Sequence, residues 1–93
     1  MEKFMLINRD TGTNAGASAS DMEQWIHSLK ASGNYVSGMS IEKSSGESRD
    51  NILRIDTILA ENPDQASSLA KTCPWVVQGL VEIEVRMIIP LLR

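Results

Sequence analysis

Leu80-Val81-Glu82-Ile83-Glu84-Val85-Arg86-Met87-Ile88 alternates with a period of two along its whole length. Successive side chains of a strand point to opposite faces. Val81, Ile83, Val85 and Met87 therefore form one row, all apolar. Leu80, Glu82, Glu84, Arg86 and Ile88 form the other, apolar at its ends and charged in its middle. The all-apolar row is expected to lie under a layer of helices, and the mixed row to face away from it. Asn51 to Leu59 repeats the pattern. Leu53, Ile55, Thr57 and Leu59 make one row; Ile52, Arg54, Asp56 and Ile58 make the other. By the same rule, the row that carries Arg54 and Asp56 is expected on the uncovered side.

Two more strands and two helices surround these. Lys3 to Ile7 is a short apolar run without a helical polar face and reads as a buried strand, extending toward Arg9. Asp10 to Ala19 is small, polar and glycine-containing, hence a loop. Ser20 with Glu23 has capping-box spacing. Met22, Trp25, Ile26 and Leu29 then fall at i, i+3, i+4 and i+7, which predicts a helix over Asp21–Ser32 stopped by Gly33. Tyr35 to Glu42 reads as a strand in which Gly38 marks a bulge or a close approach to the backbone. Lys43 to Asp50 is a polar hairpin loop. Asn62-Pro63-Asp64-Gln65 is a helix start, and Ala66, Leu69, Ala70 and Cys73 keep helical spacing up to Pro74. The order is βαββαβ. That is the ferredoxin-like, α+β arrangement, a four-stranded antiparallel sheet with two helices on one face.

Size and composition bound the rest. The chain has 93 residues, 42% hydrophobic and 23% charged, with a formal net charge of −3. This describes one small globular domain over residues 1–93, with a thin core. The acidic balance argues against nucleic acid or an anionic membrane as a partner. No run approaches a membrane span, and Met1-Glu2-Lys3-Phe4 lacks a signal-peptide pattern. One cysteine, Cys73, excludes an internal disulfide framework and fits a cytoplasmic protein. One histidine, His27, excludes a metal centre built on several histidines. No glycine-rich phosphate loop, zinc pattern or nucleophile elbow is present, so no cofactor is expected.

Helices on one face leave the other bare. The bland reading of its charges is a solvated surface stitched by cross-strand pairs. The sharper reading has Ile52, Ile58, Leu80 and Ile88 packing on a second subunit, with the charges lining a cavity between the sheets. Arg54 and Arg86 are then candidates to hold a carboxylate or phosphate. Glu82, Glu84 or Asp56 would act as acid or base only if burial or a like-charged neighbour raised a pKa. His27 lies off the apolar stripe, and Cys73 lies on it as a small core residue. Trp25 and Trp75 read as core or interface anchors.

The chain also resembles the YCII-related proteins, the group that includes the DGPF-domain proteins. Met1 to Asp10 is similar to their opening strand. Trp25, Leu29-Lys30-Ala31, Gly33 and Val36-Ser37-Gly38 are similar to their first helix and second strand. Asn62-Pro63-Asp64-Gln65-Ala66, Leu69-Ala70-Lys71-Thr72-Cys73-Pro74 and Val81-Glu82-Ile83-Glu84-Val85-Arg86 are similar to the family's helix, Cys-Pro turn and closing strand. The resemblance covers nearly the whole chain. It implies a dimeric α+β barrel, two ferredoxin-like sheets packed face to face, related in fold to small monooxygenases and muconolactone-isomerase-like enzymes.

The departures are specific. The Asp-Gly-Pro-Phe segment is missing, and the stretch between Ile41 and Ile52 is short. Some members carry a His-Asp dyad; its His position falls near Asp21 or Met22 here, and its Asp position on Cys73. No catalytic residue carries over. Glu84 and Arg86 match the closing-strand motif and stand with Arg54 and Asp56 as ligand candidates. The reading is a homodimer that binds a small polar or aromatic molecule in the cleft of the sheet. The alternatives are a cofactor-free monooxygenase or isomerase, with Glu84, Glu82, Asp56 or His27 as acid or base, and a non-catalytic dimerisation module.

Overall fold

The computed structural model of the chain describes residues 1–12, 18–41 and 51–91. The elements are β1 (Glu2–Asp10), α1 (Ala19–Ala31), β2 (Tyr35–Ser40), β3 (Ile52–Ala60), α2 (Pro63–Lys71), α3 (Pro74–Val77) and β4 (Val81–Met87). The strands form one sheet in the order β2-β3-β1-β4, every pair antiparallel. With the helices this is the ferredoxin-like α+β fold expected from the element order. The Lys43–Asp50 hairpin loop lies outside the described residues.

Helix ends moved where a better cap was at hand. The side chain of Ser18, not Ser20, caps α1 by accepting from the backbone N–H of Asp21, so the helix starts at Ala19. Its C-terminus closes on Gly33 in the left-handed region (φ 77°). There the Asn34 N–H donates to Leu29 O and the Gly33 N–H to Lys30 O, the paired bonds of a Schellman motif. α2 begins as expected, with Asn62 Oδ1 accepting from the Gln65 N–H at 2.8 Å. It stops at Lys71, before Cys73. Pro74 does not merely end that helix but starts the separate turn α3, since proline suits a first helical position. Cys73 thus caps α3.

The core lies between sheet and helices. Phe4, Leu6, Ile58 and Ala60 meet Met22, Trp25 and Leu29 of α1, Ala66 and Ala70 of α2, and Cys73. The two tryptophans pin the layer: Trp25 Nε1 donates to Thr72 Oγ1 at 2.9 Å and Trp75 Nε1 to the Ser18 carbonyl at 3.1 Å. His27 stays exposed on α1.

The register decides which row faces the helices. Phe4, Leu6 and Asn8 pair with Met87, Val85 and Ile83, so the all-apolar row of β4 is inside, as expected. The same three residues pair with Ile58, Asp56 and Arg54. The charged row of β3 is therefore inside as well, and the expected facing of β3 is reversed. Ile58 is fully buried in the core rather than free for a partner, and Leu80 is buried too. Met5, Ile7, Ile55, Thr57 and Leu59 lie on the open face with Glu84 and Arg86. The physical reason is that a charge can be buried when every oxygen is paired, and both oxygens of Asp56 are.

Candidate functional site

The register separates the four ligand candidates into two clusters on opposite faces of the sheet. Arg54 and Asp56 belong to the helix side; Glu84 and Arg86 belong to the open side.

The helix-side cluster is built on Asp56, which is 0% exposed. Residues two apart on a strand share a face, so Arg54 turns back onto it. Arg54 Nη2 donates to Asp56 Oδ1 at 2.7 Å and Arg54 Nε to Oδ2 at 3.1 Å, a two-pronged pair. Tyr35 Oη also donates to Oδ1 at 2.7 Å, and Asn8 Nδ2 to Oδ2 at 3.2 Å. Four donors occupy the carboxylate, which is about its full capacity.

β2 makes room for this. Its pairing with β3 shifts between Tyr35 and Ser37, a bulge that carries the Tyr35 hydroxyl over the backbone of Gly38. A Cβ at Gly38 would collide with Tyr35 Oη and stand 2.7 Å from Asp56 Oδ1. Of the two alternatives for Gly38 the close approach is met there, while the bulge lies just before it, between Tyr35 and Ser37.

The cluster shifts its own titrations. Burial, aided by the bond to Asp56 and its charge, pushes the Tyr35 phenol up to about 12. Burial pulls on Arg54 in the opposite sense, but its bond to Asp56 and the opposite charge outweigh that and hold the guanidinium above its ordinary value. At neutral pH, Tyr35 is a proton donor locked to Asp56 and Arg54 is a fixed cation.

Asn8 is the unexpected member. Leu6 O, Arg54 O and Asp56 Oδ2 all surround its Nδ2, so the amide cannot be turned round without placing oxygen against three acceptors. Its Oδ1 is left buried with no donor. An unpaired buried acceptor costs about 1–3 kcal/mol.

A cleft of about 470 Å³ opens beside the cluster where α1 meets β2. Lys30, Tyr35, Ser37, Gly38, Ser40 and Arg54 line it. Lys30 Nζ stands 6.0 Å from the centre of the Tyr35 ring. A second cavity, about 450 Å³, lies at the other edge between α2 and β4, with walls of Val81, Ile83 and Val85.

The open-face cluster is looser. Arg86 Nε donates to Glu84 Oε2 at 2.6 Å, and Arg9 Nη2 to Glu84 Oε1 at 3.1 Å. Those two bonds hold the Glu84 carboxyl below its usual value. A surface arrangement of this kind contributes little by itself.

Cys73 is buried, and its Sγ approaches Met22 Sδ at 3.5 Å. Met22, one of the two positions near which the resemblance maps the dyad's histidine, is thus a neighbour of Cys73, which stands at the dyad's Asp position. Burial raises the thiol pKa. The N–H groups of Val76 and Trp75 at the start of α3 pull it the other way and only partly offset burial. Among the described residues no group of three His, Cys, Asp or Glu is placed to hold a metal ion, and no helix is long and apolar enough to cross a membrane.

Sequence reasoning singled out Arg54 and Asp56 but not Asn8, Tyr35 or Lys30. An asparagine in an apolar strand was the available signal, since a polar residue on a core row needs a partner.

No protein-family model matches the sequence, and no curated protein matches it. Among solved structures the chain is similar to 5-chloro-2-hydroxyhydroquinone dehydrochlorinase from Burkholderia phenoliruptrix AC1100, in complex with 2,5-dihydroxybenzoquinone. The TM-score is 0.65 at 18% identity, over 90% of each chain. At that identity the likeness establishes the fold.

Proposed function

We propose that the protein is a homodimeric α+β barrel of the YCII-related type, holding a small polar or aromatic molecule in the cleft between α1 and β2. The observation that carries the ligand part is the buried Tyr35–Arg54–Asp56 cluster beside that cleft. A buried ion pair is a weak source of stability, because apolar residues of similar volume do as well or better. Its position at a cavity gives it a use that stability does not. The similar dehydrochlorinase, whose structure holds a dihydroxybenzoquinone, lends support by analogy of fold alone.

Within this reading Arg54 and Asp56 serve the ligand cleft. Glu84 and Arg86 line the space between two sheets, where the apolar open face meets its copy. Binding is favoured over acid–base turnover. His27 is exposed on α1, Tyr35 keeps its proton, and a buried thiol, Cys73, stands at the mapped Asp position.

The test is a thermal-shift screen of small polar and aromatic compounds on the wild type and on Ser40→Phe, which fills the cleft. A true ligand raises Tm with concentration in the wild type and loses that effect in the variant. A library without hits, or hits unchanged by Ser40→Phe, would overturn the reading.

A further inference from the structure

We infer that the α1–β2 cleft selects small organic anions, carboxylates or phosphate monoesters, with Arg54 and Lys30 reading the charge. The inference rests on the reading of this cleft as the ligand site and names the class of molecule it takes.

The charge balance at the cleft carries it. Two cations, Lys30 and Arg54, line the cavity, and none of its described lining residues is acidic. Asp56 does not line it. That carboxylate is sealed behind Arg54, with its oxygens occupied by Tyr35, Asn8 and Arg54 itself. It therefore fixes the guanidinium in place and has no lone pair left for a ligand. Only Nε and one bond from Nη2 of Arg54 go to Asp56, out of five N–H donors on a guanidinium. The side chain is 15% exposed. A guanidinium with donors remaining, oriented by a buried counter-ion, suits the planar oxygens of a carboxylate or phosphate.

Lys30 supplies the second charge from another element. It stands over the Tyr35 ring while Arg54 lies by the hydroxyl end, so the two cations bracket the phenol. The Tyr35 ring gives an aromatic body something to lie against, and Gly38 lets the Tyr35 hydroxyl sit down on the strand backbone beside Arg54. The cavity at the α2–β4 edge differs in kind. Its walls are mostly aliphatic, and its lining carries one cation, Lys71, and one carboxylate, Glu82.

The experiment titrates benzoate, phenyl phosphate and the neutral benzamide into the full chain, following backbone amides of Ser37, Gly38 and Ser40 by NMR. The anions are expected to shift these amides at least about tenfold more tightly than benzamide, with affinity falling as salt rises. Lys30→Ala, on an exposed position, is expected to weaken the anions about two- to fivefold and leave benzamide unchanged. Lys71→Ala is expected to change nothing. Equal affinity for benzoate and benzamide would overturn the anion inference while the cleft remained a ligand site. Equal losses in Lys30→Ala and Lys71→Ala would overturn it too, as general surface charge. If no compound shifts the cleft amides, the reading of the site itself falls.

Discussion

Tyr35 is the only tyrosine in the chain, which makes the buried cluster directly measurable. Its phenol is held up at about 12 by burial first and by Asp56 second. A phenolate absorbance titration of the folded protein should show a single late transition, against about 10 in denaturant. Asp56→Asn should bring it part of the way down, since burial remains. The sign for stability follows by linkage: folding raises this pKa, so the contribution is whole below about pH 10 and is lost as pH climbs to about 12. A folded-state midpoint near the denatured one would mean that Tyr35 does not engage Asp56. At this scale the sequence was half legible. Arg54 and Asp56, two apart, announce a shared face in any strand. Tyr35 and Asn8 do not, because their partnership depends on a bulge and on which strand lies next to which.

At the scale of elements, spacing did well and facing did not. Every strand and both long helices were legible from period and caps, while α3 was hidden behind a proline that reads equally as an end or a beginning. The facing of β3 failed because alternation says only that two rows differ. It ranks neither when one is aliphatic and the other can satisfy its charges internally. Burying Arg54 and Asp56 places Ile55, Thr57 and Leu59 on the far side, and that apolar row needs another cover. The β2 bulge is the device that permits it. Gly38→Ala should therefore destabilise by about 1–3 kcal/mol in urea unfolding, as other overpacking changes do. Part of that cost should vanish in a Tyr35→Phe background, where the colliding hydroxyl is gone but Asp56 Oδ1, 2.7 Å away, must still give. Equal costs in both backgrounds would show that the Tyr35 approach is not what requires glycine.

For the whole molecule, the consequence is a slab with one face unfinished. Its extents are 37 × 30 × 19 Å, and the short one is a sheet plus one helix layer. Met5, Ile55, Thr57 and Leu59 on the open face suit an isologous contact, in which each copy presents the same patch. The Arg9–Glu84–Arg86 cluster sits beside them and can pair within its own subunit while the apolar rows meet. Sedimentation at micromolar concentration should then find a dimer. Ile55→Glu places a charge in the middle of that contact, far from the helix-side core. It should give a monomer that keeps its circular dichroism and its Tyr35 titration. A wild-type monomer would remove the dimer, and a dimeric Ile55→Glu would move the interface elsewhere. The Tyr35 readout separates the two faces. If the variant dissociates yet the phenol still titrates late, the ligand cleft is complete within one subunit and assembly serves the open face alone.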